Sequence, residues 1–462
     1  MRDDTYDDYI ESKSDSVRFK GLAPEEPPDH LFGFQRKIVD WALRKGRSAN
    51  FSDTGLGKTI MQVEWARQVS NEGRVLIFAP LAVADQTSRE AARFGVDIPY
   101  RRKDEGDRIT IANYEMAEHF DPSEFVGVVL DESSILKNFN GRTRNALISM
   151  FAQTPYRFAC TATPAPNDFT ELGNHSEFLG SLTRSEMLSE YFIHDGGSVR
   201  DWRLKGHAVK HFWRWVCTWG VVVRKPSDLG FEDGDFALPP LRIHQERIRI
   251  GHEEAHKAGM LFAPDARTLN EQRAIRRATV EERTAIAVRL ASEYPDEPLL
   301  VWCEYNREAD AVEAAIPDAV QIAGSDSPEV KRERLIAFSE GRIRVLVTKP
   351  SIAGFGLNWQ HCRRMMFVGP SHSYEQTYQA IRRCWRFGQD QPVHVHIATA
   401  DTEMAVVQNY RRKEADAARL GAEVVSHTQE HMQAELGLAV ERRWNPYNPD
   451  RQLTVPEWLV TQ

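Results

Sequence analysis

Short apolar runs alternate with amphipathic, helix-like segments over most of the chain. From Leu31, apolar residues recur at helical spacing, and a turn that contains Gly55 and Gly57 leads into a second helical pattern. Beyond this turn, the β-rich runs are residues 75–79, 109–112, 126–130 and 156–161. Strands and helices that alternate in this way predict a parallel sheet with crossover helices.

A second alternating block begins near residue 293. Its β-rich runs are residues 299–302, 344–347 and 366–368, so the sequence predicts a second α/β domain. Between the two blocks, residues 181–240 bring tryptophans close to basic residues, and residues 253–291 are polar and helix-prone. We interpret this part of the chain as an insertion or bridging element.

The tryptophans of the bridging element have two interpretations. They are Trp202, Trp213, Trp215 and Trp219. Their rings could stack on unpaired bases, because aromatic faces bind such bases without sequence preference. Phe212, Val216 and Val221 are interspersed among them, and this mixture is typical of a buried core. We therefore favour packing over base stacking.

The length of the chain indicates more than one domain. Its 462 residues exceed the size at which a single hydrophobic core usually keeps growing. The predicted parts are a flexible acidic lead-in over residues 1–30, a first α/β domain over 31–180, an insertion or bridging helical region over 181–292, a second α/β domain over 293–420 and a C-terminal tail over 421–462.

Composition narrows the class of protein. Hydrophobic residues make up 41% and charged residues 27% of the chain, as in ordinary soluble globular proteins. The longest apolar run, residues 75–84, is too short to span a bilayer. The N-terminus carries aspartates where a secretory signal would carry positive charge, so we expect a cytoplasmic protein. The net charge of -8 argues against a protein that coats nucleic acid through bulk electrostatics. Any binding of nucleic acid must therefore use a local basic surface.

The cysteines give no sign of metal or disulfide chemistry. They are Cys160, Cys217, Cys303, Cys362 and Cys384. Their scattered positions lack the paired spacing of a zinc site or a disulfide framework. We expect reduced and mostly buried thiols.

Residues 52–59 read Ser-Asp-Thr-Gly-Leu-Gly-Lys-Thr, between a short run and a helical pattern. This context is typical of a phosphate-binding loop, because glycines let backbone N–H groups turn toward phosphate oxygens and the next helix adds partial positive charge. Lys58 would reach the β and γ phosphates, and Thr59 would ligate Mg²⁺. The other nucleotide contacts assigned to the loop are Thr54, Gly55, Leu56 and Gly57. The alternative is a glycine-rich turn with a chance lysine, which the context disfavours.

An acidic pair follows the apolar run of residues 126–130. Asp131 would hold the magnesium ion, and Glu132 would polarise the attacking water. An acidic pair after a strand is often only a solvated strand end. Together with the phosphate-binding loop, it indicates a site that hydrolyses a nucleotide.

These motifs resemble those of superfamily 2 helicases, and more narrowly the Swi/Snf-type ATPases among the DEAD/DEAH-box-like proteins, from about residue 31 to about residue 397. The resemblance implies two tandem RecA-like domains with parallel sheets and an intervening aromatic-rich insertion, with ATP and Mg²⁺ as cofactors. Phe34-Gln35 is similar to the adenine-reading motif, so Gln35 is assigned to the nucleotide site. Ala79-Pro80, with Gln86 and Glu90, resembles the segment that contacts the nucleic-acid backbone.

The second and third motifs of the family are similar to segments that follow two predicted strands. After the acidic pair, the family usually has alanine or glycine and then histidine, whereas this chain has Ser133 and Ser134. The third motif couples hydrolysis to domain movement, and residues 161–164 resemble it, which assigns coupling roles to Thr161 and Thr163. A helix cap before the proline is the alternative for Thr163. We favour coupling because of where the motif falls.

The fifth and sixth motifs lie in the second predicted domain. Residues 354–358 are similar to the fifth motif and residues 379–389 closely resemble the sixth, which assigns coupling roles to Gly356 and Gln379. Arg383 and Arg386 are candidate arginine fingers, three residues apart on one helical face.

Other positions of the sixth motif refine this assignment. We expect Arg382 to lie on a solvated helix face. Trp385 stands where the family usually has histidine, and the ending Gly388-Gln389 is the most diagnostic feature of the Swi/Snf-type branch.

The resemblance implies an ATP-dependent DNA translocase, similar to compact one-chain proteins of bacteriophages and prophages, in the cytoplasm of a bacterial or phage-infected cell. Duplex DNA is the favoured partner, and RNA is not excluded. The candidate nucleic-acid contacts are Asn113, Thr348, Lys349 and Asn358. The alternatives are a strand-separating helicase on DNA or RNA, and an ATP-gated clamp that acts with a protein partner.

Overall fold

A computed structural model describes residues 20–26, 28–137, 141–165, 168–194, 202–249, 269–353, 358–369, 371, 373–403, 412 and 424–438. Two six-stranded sheets dominate this part of the chain. Every strand pairing within both sheets is parallel. The expected α/β fold with two tandem parallel sheets is therefore confirmed.

The first sheet has the strand order β3-β2-β4-β5-β1-β8. The strands are β1 (Arg47–Ser52), β2 (Val75–Ala79), β3 (Ile109–Asn113), β4 (Gly127–Asp131), β5 (Tyr156–Cys160) and β8 (Gly220–Val223). β2 to β5 lie within one residue of the runs expected from the sequence. The strand β8 comes from the expected bridging region and pairs with β1.

The second sheet has the strand order β11-β12-β10-β13-β14-β9. The strands are β9 (Leu241–Ile248), β10 (Leu299–Trp302), β11 (Ala319–Gln321), β12 (Val345–Thr348), β13 (Arg364–Phe367) and β14 (Val393–Ala400). The expected bridging region therefore contributes a strand to each sheet. A small antiparallel pair, β6 (Phe192–His194) and β7 (Trp202–Leu204), completes the strands of the described residues.

Helices cover the sheets. They are α1 (Gly33–Lys45), α2 (Lys58–Val69), α3 (Leu81–Arg93), α4 (Arg142–Met150), α5 (Leu172–Leu179), α6 (Arg184–Tyr191), α7 (Val209–Trp219), α8 (Leu269–Ala278), α9 (Val280–Glu293), α10 (Asn306–Ala315), α11 (Pro328–Ser339), α12 (Pro350–Ala353), α13 (Tyr374–Ile381) and α14 (residues 424–435).

Each sheet is buried on both faces. In β2, Ile77 packs into one apolar core and its neighbour Phe78 packs into another, and Leu300 and Val301 of β10 divide in the same way. Successive side chains of a strand point to opposite faces, so two-sided burial requires a continuous apolar run rather than an alternating one. This requirement explains why the central strands were visible in the sequence.

The chain returns to the first domain after it has formed the second. Met432 and Leu436 of the C-terminal segment pack into a core of the first domain, and Glu435 forms an ion pair with Lys45 of α1 at 2.7 Å. The second domain is thus flanked in sequence by elements that pack on the first domain.

Two further expectations can be compared with the described residues. All five cysteines are buried and free, as expected. None of the helices in the described part of the chain is both long and apolar enough to cross a membrane.

The aromatic-rich segment packs into the first domain. Trp213 lies edge-on to Phe169 and to Phe212, with ring centroids 4.8 and 5.0 Å apart. The indoles of Trp215 and Trp219 are also buried, whereas Trp202 is only half-buried. Packing, which the sequence favoured, is therefore the arrangement in the structure.

We predict that Trp213→Ala lowers the free energy of unfolding by about 3–5 kcal/mol, because it leaves a large cavity in this core. Urea unfolding monitored by circular dichroism measures the change. The half-buried Trp202→Ala is the matched control and should cost less. A Trp213→Ala protein of unchanged stability but weakened nucleic-acid binding would support base stacking instead.

Candidate active site

The expected phosphate-binding loop joins β1 to the N-terminus of α2. Gly55 and Gly57 both have positive φ, 89° and 79°, which favours glycine. A Cβ at Gly57 would lie 2.3 Å from Nε2 of Gln35, and one at Gly55 would lie 3.1 Å from the backbone nitrogen of Phe387 in the second domain. Neither position can hold a side chain without rearrangement, because Gly55 touches the second domain and Gly57 touches Gln35.

Lys58 and Gln35 support the loop from inside. The Lys58 ammonium donates to the carbonyls of Ser52 at 2.9 Å and Asp53 at 3.2 Å. Burial lowers the pKa of Lys58, and the carboxylates of Glu132, Asp53 and Asp131 oppose this shift. The Gln35 amide donates to the carbonyl of Leu56 at 2.9 Å. The loop is thus held by side chains that the sequence assigned to nucleotide binding.

Asp131 is the last residue of β4. In the sheet, β5 lies between β4 and β1. Its Oδ1 accepts a hydrogen bond from Nε2 of Gln62 in α2 at 2.7 Å. Burial raises the pKa of Asp131 to about 6, and the charge of Glu132 adds to the effect. A nearby cation would favour the ionised carboxylate.

The arrangement fits a magnesium ion shared with a nucleotide. Asp131 offers one carboxylate, and Thr59 lies in the first turn of α2. Magnesium usually takes one or two protein carboxylates and fills its remaining positions with water and substrate phosphates. Within the described ranges, no group of three or more His, Cys, Asp and Glu residues is placed to hold a metal on its own.

Glu132 has a strained backbone. Its φ is 52°, and it is the one non-glycine residue with positive φ in the part of the chain that the structure describes. Such conformations cost about 1–3 kcal/mol and cluster at functional sites. Oε2 of Glu132 accepts from the hydroxyl of Thr161 at 3.4 Å, and the same hydroxyl accepts from the backbone N–H of Thr163 at 3.1 Å. The structure therefore brings Thr161 to the acidic pair, and the backbone of Thr163 bonds to Thr161.

The two candidate arginine fingers face the first domain. Burial lowers the pKa of Arg383 to about 10, opposed by the carboxylates of Glu132 and Asp131. Burial likewise lowers the pKa of Arg386 to about 10, and the charge of Arg383 adds to this shift while Glu90 opposes it. Both guanidinium groups remain charged at neutral pH, in an environment where acidic side chains of the first domain act on them.

The expectation of one helical face for the arginine fingers is wrong. α13 ends at Ile381, and the chain continues through turns, in which Gly388 has a φ of 86°. Nε2 of Gln389 donates to the carbonyl of Gln360 at 2.7 Å. It also lies 3.4 Å from the carbonyl oxygen of Cys384. These bonds from a buried amide hold the turns in place, so the sixth motif is not a continuous helix.

The expectation of a solvated Arg382 is also wrong. The residue is buried, and it forms an ion pair with Asp53 of the loop at 3.0 Å. Its guanidinium also donates to the backbone carbonyl of Thr54 at 2.8 Å and to the hydroxyl of Thr54. The partner lies 328 residues earlier in the sequence, so a local pattern of charges could not reveal it.

The remaining predicted residues are spread over both domains. Gln379 is buried in α13, and Gly356 lies outside the described residues. The amide of Asn113 accepts from the Tyr100 hydroxyl at 2.7 Å, and Thr348 is fully buried.

Two candidate nucleic-acid contacts of the second domain have polar partners. The ammonium of Lys349 donates to Oδ1 of Asn306 at 2.5 Å. The amide of Asn358 lies 3.4 Å from Oε1 of Glu90 in α3. The segment that resembles a nucleic-acid contact therefore lies against the second domain.

Sequence patterns missed a histidine beside the acidic pair. Nε2 of His175, in α5, lies 3.1 Å from the hydroxyl of Ser133. Burial lowers the pKa of His175 to about 4, so its ring is neutral at physiological pH. A histidine from another helix thus contacts the segment in which the family pattern would place its own histidine.

An aromatic group beside the loop was also missed. Phe236, from the segment between β8 and β9, lies 5.0 Å from Phe32 and 4.5 Å from Phe387, measured between ring centroids. These rings come from three separate parts of the chain, so no sequence spacing connects them.

Comparison with known proteins finds matches to helicase-like proteins. Residues 282–388 match the family model of the helicase conserved C-terminal domain. YwqA of Bacillus subtilis (strain 168), which is named as a candidate ATP-dependent helicase/translocase, is 29% identical over 205 residues, covering 36% of this chain and 22% of that protein. The chain thus matches about a fifth of this relative's length.

Among solved structures, the Sulfolobus solfataricus SWI2/SNF2 ATPase core in complex with dsDNA is 16% identical, with a TM-score of 0.40, over 91% of this chain and 100% of that one. The family model covers β10 to β13 and the turns that hold Arg383 and Arg386. The chain is thus similar to helicase-like proteins, and residues 282–388 match the helicase conserved C-terminal domain.

Proposed function

We propose that the chain is an ATP- and Mg²⁺-dependent motor that moves along duplex DNA and hydrolyses ATP in the cleft between its two domains. One observation carries this proposal. Arg386 of the second domain lies against the loop, with its Cβ 3.5 Å from the position of a Cβ at Gly55, and the charges of Glu132 and Asp131 act on Arg383, so that charges needed for phosphoryl transfer come from both sides of one cleft.

The first domain would bind the nucleotide. The backbone N–H groups of the loop and of the α2 N-terminus would receive the phosphates, and Lys58 would exchange its bonds to Ser52 and Asp53 for phosphate oxygens. Gln35 lies against the loop, where it would read the adenine. Mg²⁺, held by Asp131 and Thr59, would neutralise phosphate charge when bound.

The acidic pair and the arginines would divide the catalytic work. Glu132 would orient and polarise the attacking water, and its carboxylate accepts a hydrogen bond from the Thr161 hydroxyl at 3.4 Å. Arg383 and Arg386 would stabilise the charge that develops on the transferred phosphoryl group. The hydrogen bond from Thr161 to Glu132 would report the state of this site to the third motif, and with it to domain movement.

The DNA partner rests on sequence resemblance. The ending Gly388-Gln389 of the sixth motif is similar to that of Swi/Snf-type translocases, which supports duplex DNA over single strands or RNA. The candidate contacts remain Asn113, Thr348, Lys349 and Asn358, of which Thr348 is fully buried in the described structure. Phosphate contacts of this kind position a protein without reading sequence. A phage or prophage origin and a cytoplasmic location belong to the same proposal.

We predict that Lys58→Ala and Glu132→Gln each lower the ATPase kcat by at least about 100-fold, because each removes charge stabilisation or water activation from the transition state. Glu132→Gln should still bind ATP, since it leaves the loop intact. Steady-state hydrolysis and fluorescent-nucleotide titration measure the two effects. The controls are Lys37→Ala and Glu72→Gln, which alter exposed residues outside the site. Full hydrolysis by either active-site variant would refute the role of that residue.

We predict that duplex DNA stimulates ATP hydrolysis by the wild-type chain more than single-stranded DNA or RNA does. The experiment measures steady-state rates with each nucleic acid in turn at one salt concentration, because phosphate contacts weaken as salt rises. Preference for single strands or RNA would favour a strand-separating helicase. An ATPase rate that no nucleic acid changes would favour an ATP-gated clamp with a protein partner.

A further inference from the structure

A group of polar contacts joins the phosphate-binding loop directly to the second domain. Oδ2 of Asp53 forms an ion pair with Arg382 at 3.0 Å, and Oδ1 of the same carboxylate accepts from the Tyr378 hydroxyl at 2.8 Å. Arg382 also donates to the carbonyl of Thr54 at 2.8 Å. We call these four residues, Asp53, Thr54, Tyr378 and Arg382, the interdomain bridge.

The interdomain bridge is enclosed. The side chains of Arg382 and Asp53 are only 5% and 16% exposed. Burial alone would raise the pKa of Asp53, but Arg382 and the Tyr378 hydroxyl hold it below its usual value. Another contact between the domains, the ion pair of Arg332 with Asp85, has side chains 56% and 39% exposed. Exposed pairs contribute little, whereas loss of one partner of a buried pair is strongly unfavourable.

Arg382 is also fixed in orientation. Its guanidinium lies 5.0 Å from the centroid of the Trp385 ring, and Nε1 of Trp385 donates to the carbonyl of Pro239 at 2.7 Å. A planar guanidinium that bonds a carboxylate and a carbonyl while it stacks on an indole has little rotational freedom. The interdomain bridge can therefore fix where residues of the second domain lie relative to the loop, as well as hold the domains together.

The position of Arg382 in the chain connects this fixed orientation to the arginine fingers and to the loop. It directly precedes Arg383, and its partners Asp53 and Thr54 directly precede the glycine turn that leads to Lys58. A fixed Arg382 thus sets the distance from the loop to the backbone of both finger arginines. Catalytic rates are sensitive to errors of about 1 Å in such distances.

We propose that Asp53, Tyr378 and Arg382 are positioning residues, which place Arg383 and Arg386 against the phosphate-binding loop when the cleft closes. This inference rests on the proposed function, because positioning matters only if the cleft hydrolyses a nucleotide. None of the three residues needs to touch the reacting atoms. Their effect passes through the backbone to the arginine fingers and to Lys58.

The first experiment measures kcat and KM for ATP in Arg382→Gln, Asp53→Asn and the double variant. Each single substitution should lower kcat by about 10- to 100-fold, with a smaller change in KM. The double variant should be no slower than the slower single one, because both changes break the same contact. Additive losses, or a wild-type kcat in Arg382→Gln, would overturn the proposal.

Conservative variants separate positioning from simple folding. Arg382→Lys keeps a charge for Asp53 but loses the planar group that also reaches Thr54, so its kcat should lie between those of wild type and Arg382→Gln. Tyr378→Phe removes only one hydroxyl and should reduce kcat by a few fold. The matched control is Arg344→Gln, which breaks an ion pair with Asp318 within the second domain and should leave kcat unchanged. Equal losses in Arg344→Gln and Arg382→Gln would show a folding effect and contradict positioning.

The second experiment measures cleft closure without hydrolysis. Cysteines introduced at the exposed positions Glu72 and Ala314 would carry a fluorescent donor and acceptor, and all five native cysteines are buried. With a non-hydrolysable ATP analogue and Mg²⁺, energy transfer should be lower and more broadly distributed in Arg382→Gln than in wild type. Unchanged transfer would overturn the bridge. If wild type hydrolyses no ATP, the proposed function fails, and this distance measurement still decides whether the bridge holds the domains.

Discussion

The candidate site depends on the common direction of the strands in each sheet. The carboxyl ends of parallel strands meet at one edge, so the loop after β1, the acidic pair at the end of β4 and Thr161 after β5 emerge side by side. An antiparallel neighbour would send one of these segments to the opposite edge. The continuous apolar runs that bury both faces of the sheet therefore also determine where its polar residues gather.

Burial governs the electrostatics at this edge. It lowers the pKa of Lys58, Arg383 and Arg386 and raises that of Asp131, so each charge in the cleft is unfavourable by itself. The acidic side chains of the first domain offset this effect for the arginines of the second. In the proposed motor, closure of the cleft and neutralisation of its charges would consequently be one process, and a polyphosphate would enter a site already arranged for opposite charges.

The sequence predicts local features of this site better than contacts across it. Glycines at positive φ, a lysine at a helix start and an acidic strand end each leave a short pattern, and they were found. β9 and β14 carry polar residues such as His244 and His394 on one face, so no apolar run marked them. Arg382 was misassigned because its partner lies in another domain, and the turns after α13 are held by the buried Gln389 amide, a contact that no local pattern shows.

The return of α14 to the first domain has a consequence for how the two halves can move. The second domain is attached to the first on its N-terminal side through the segment between β8 and β9, and α14, which follows it in sequence, packs beside α1 and α7 through Glu435 and Thr428. A body attached at a single point can swivel in any direction, whereas one attached at two points turns most freely about the line that joins them. In the proposed motor, opening of the cleft should therefore follow one preferred axis, and each nucleotide cycle would have a reproducible stroke.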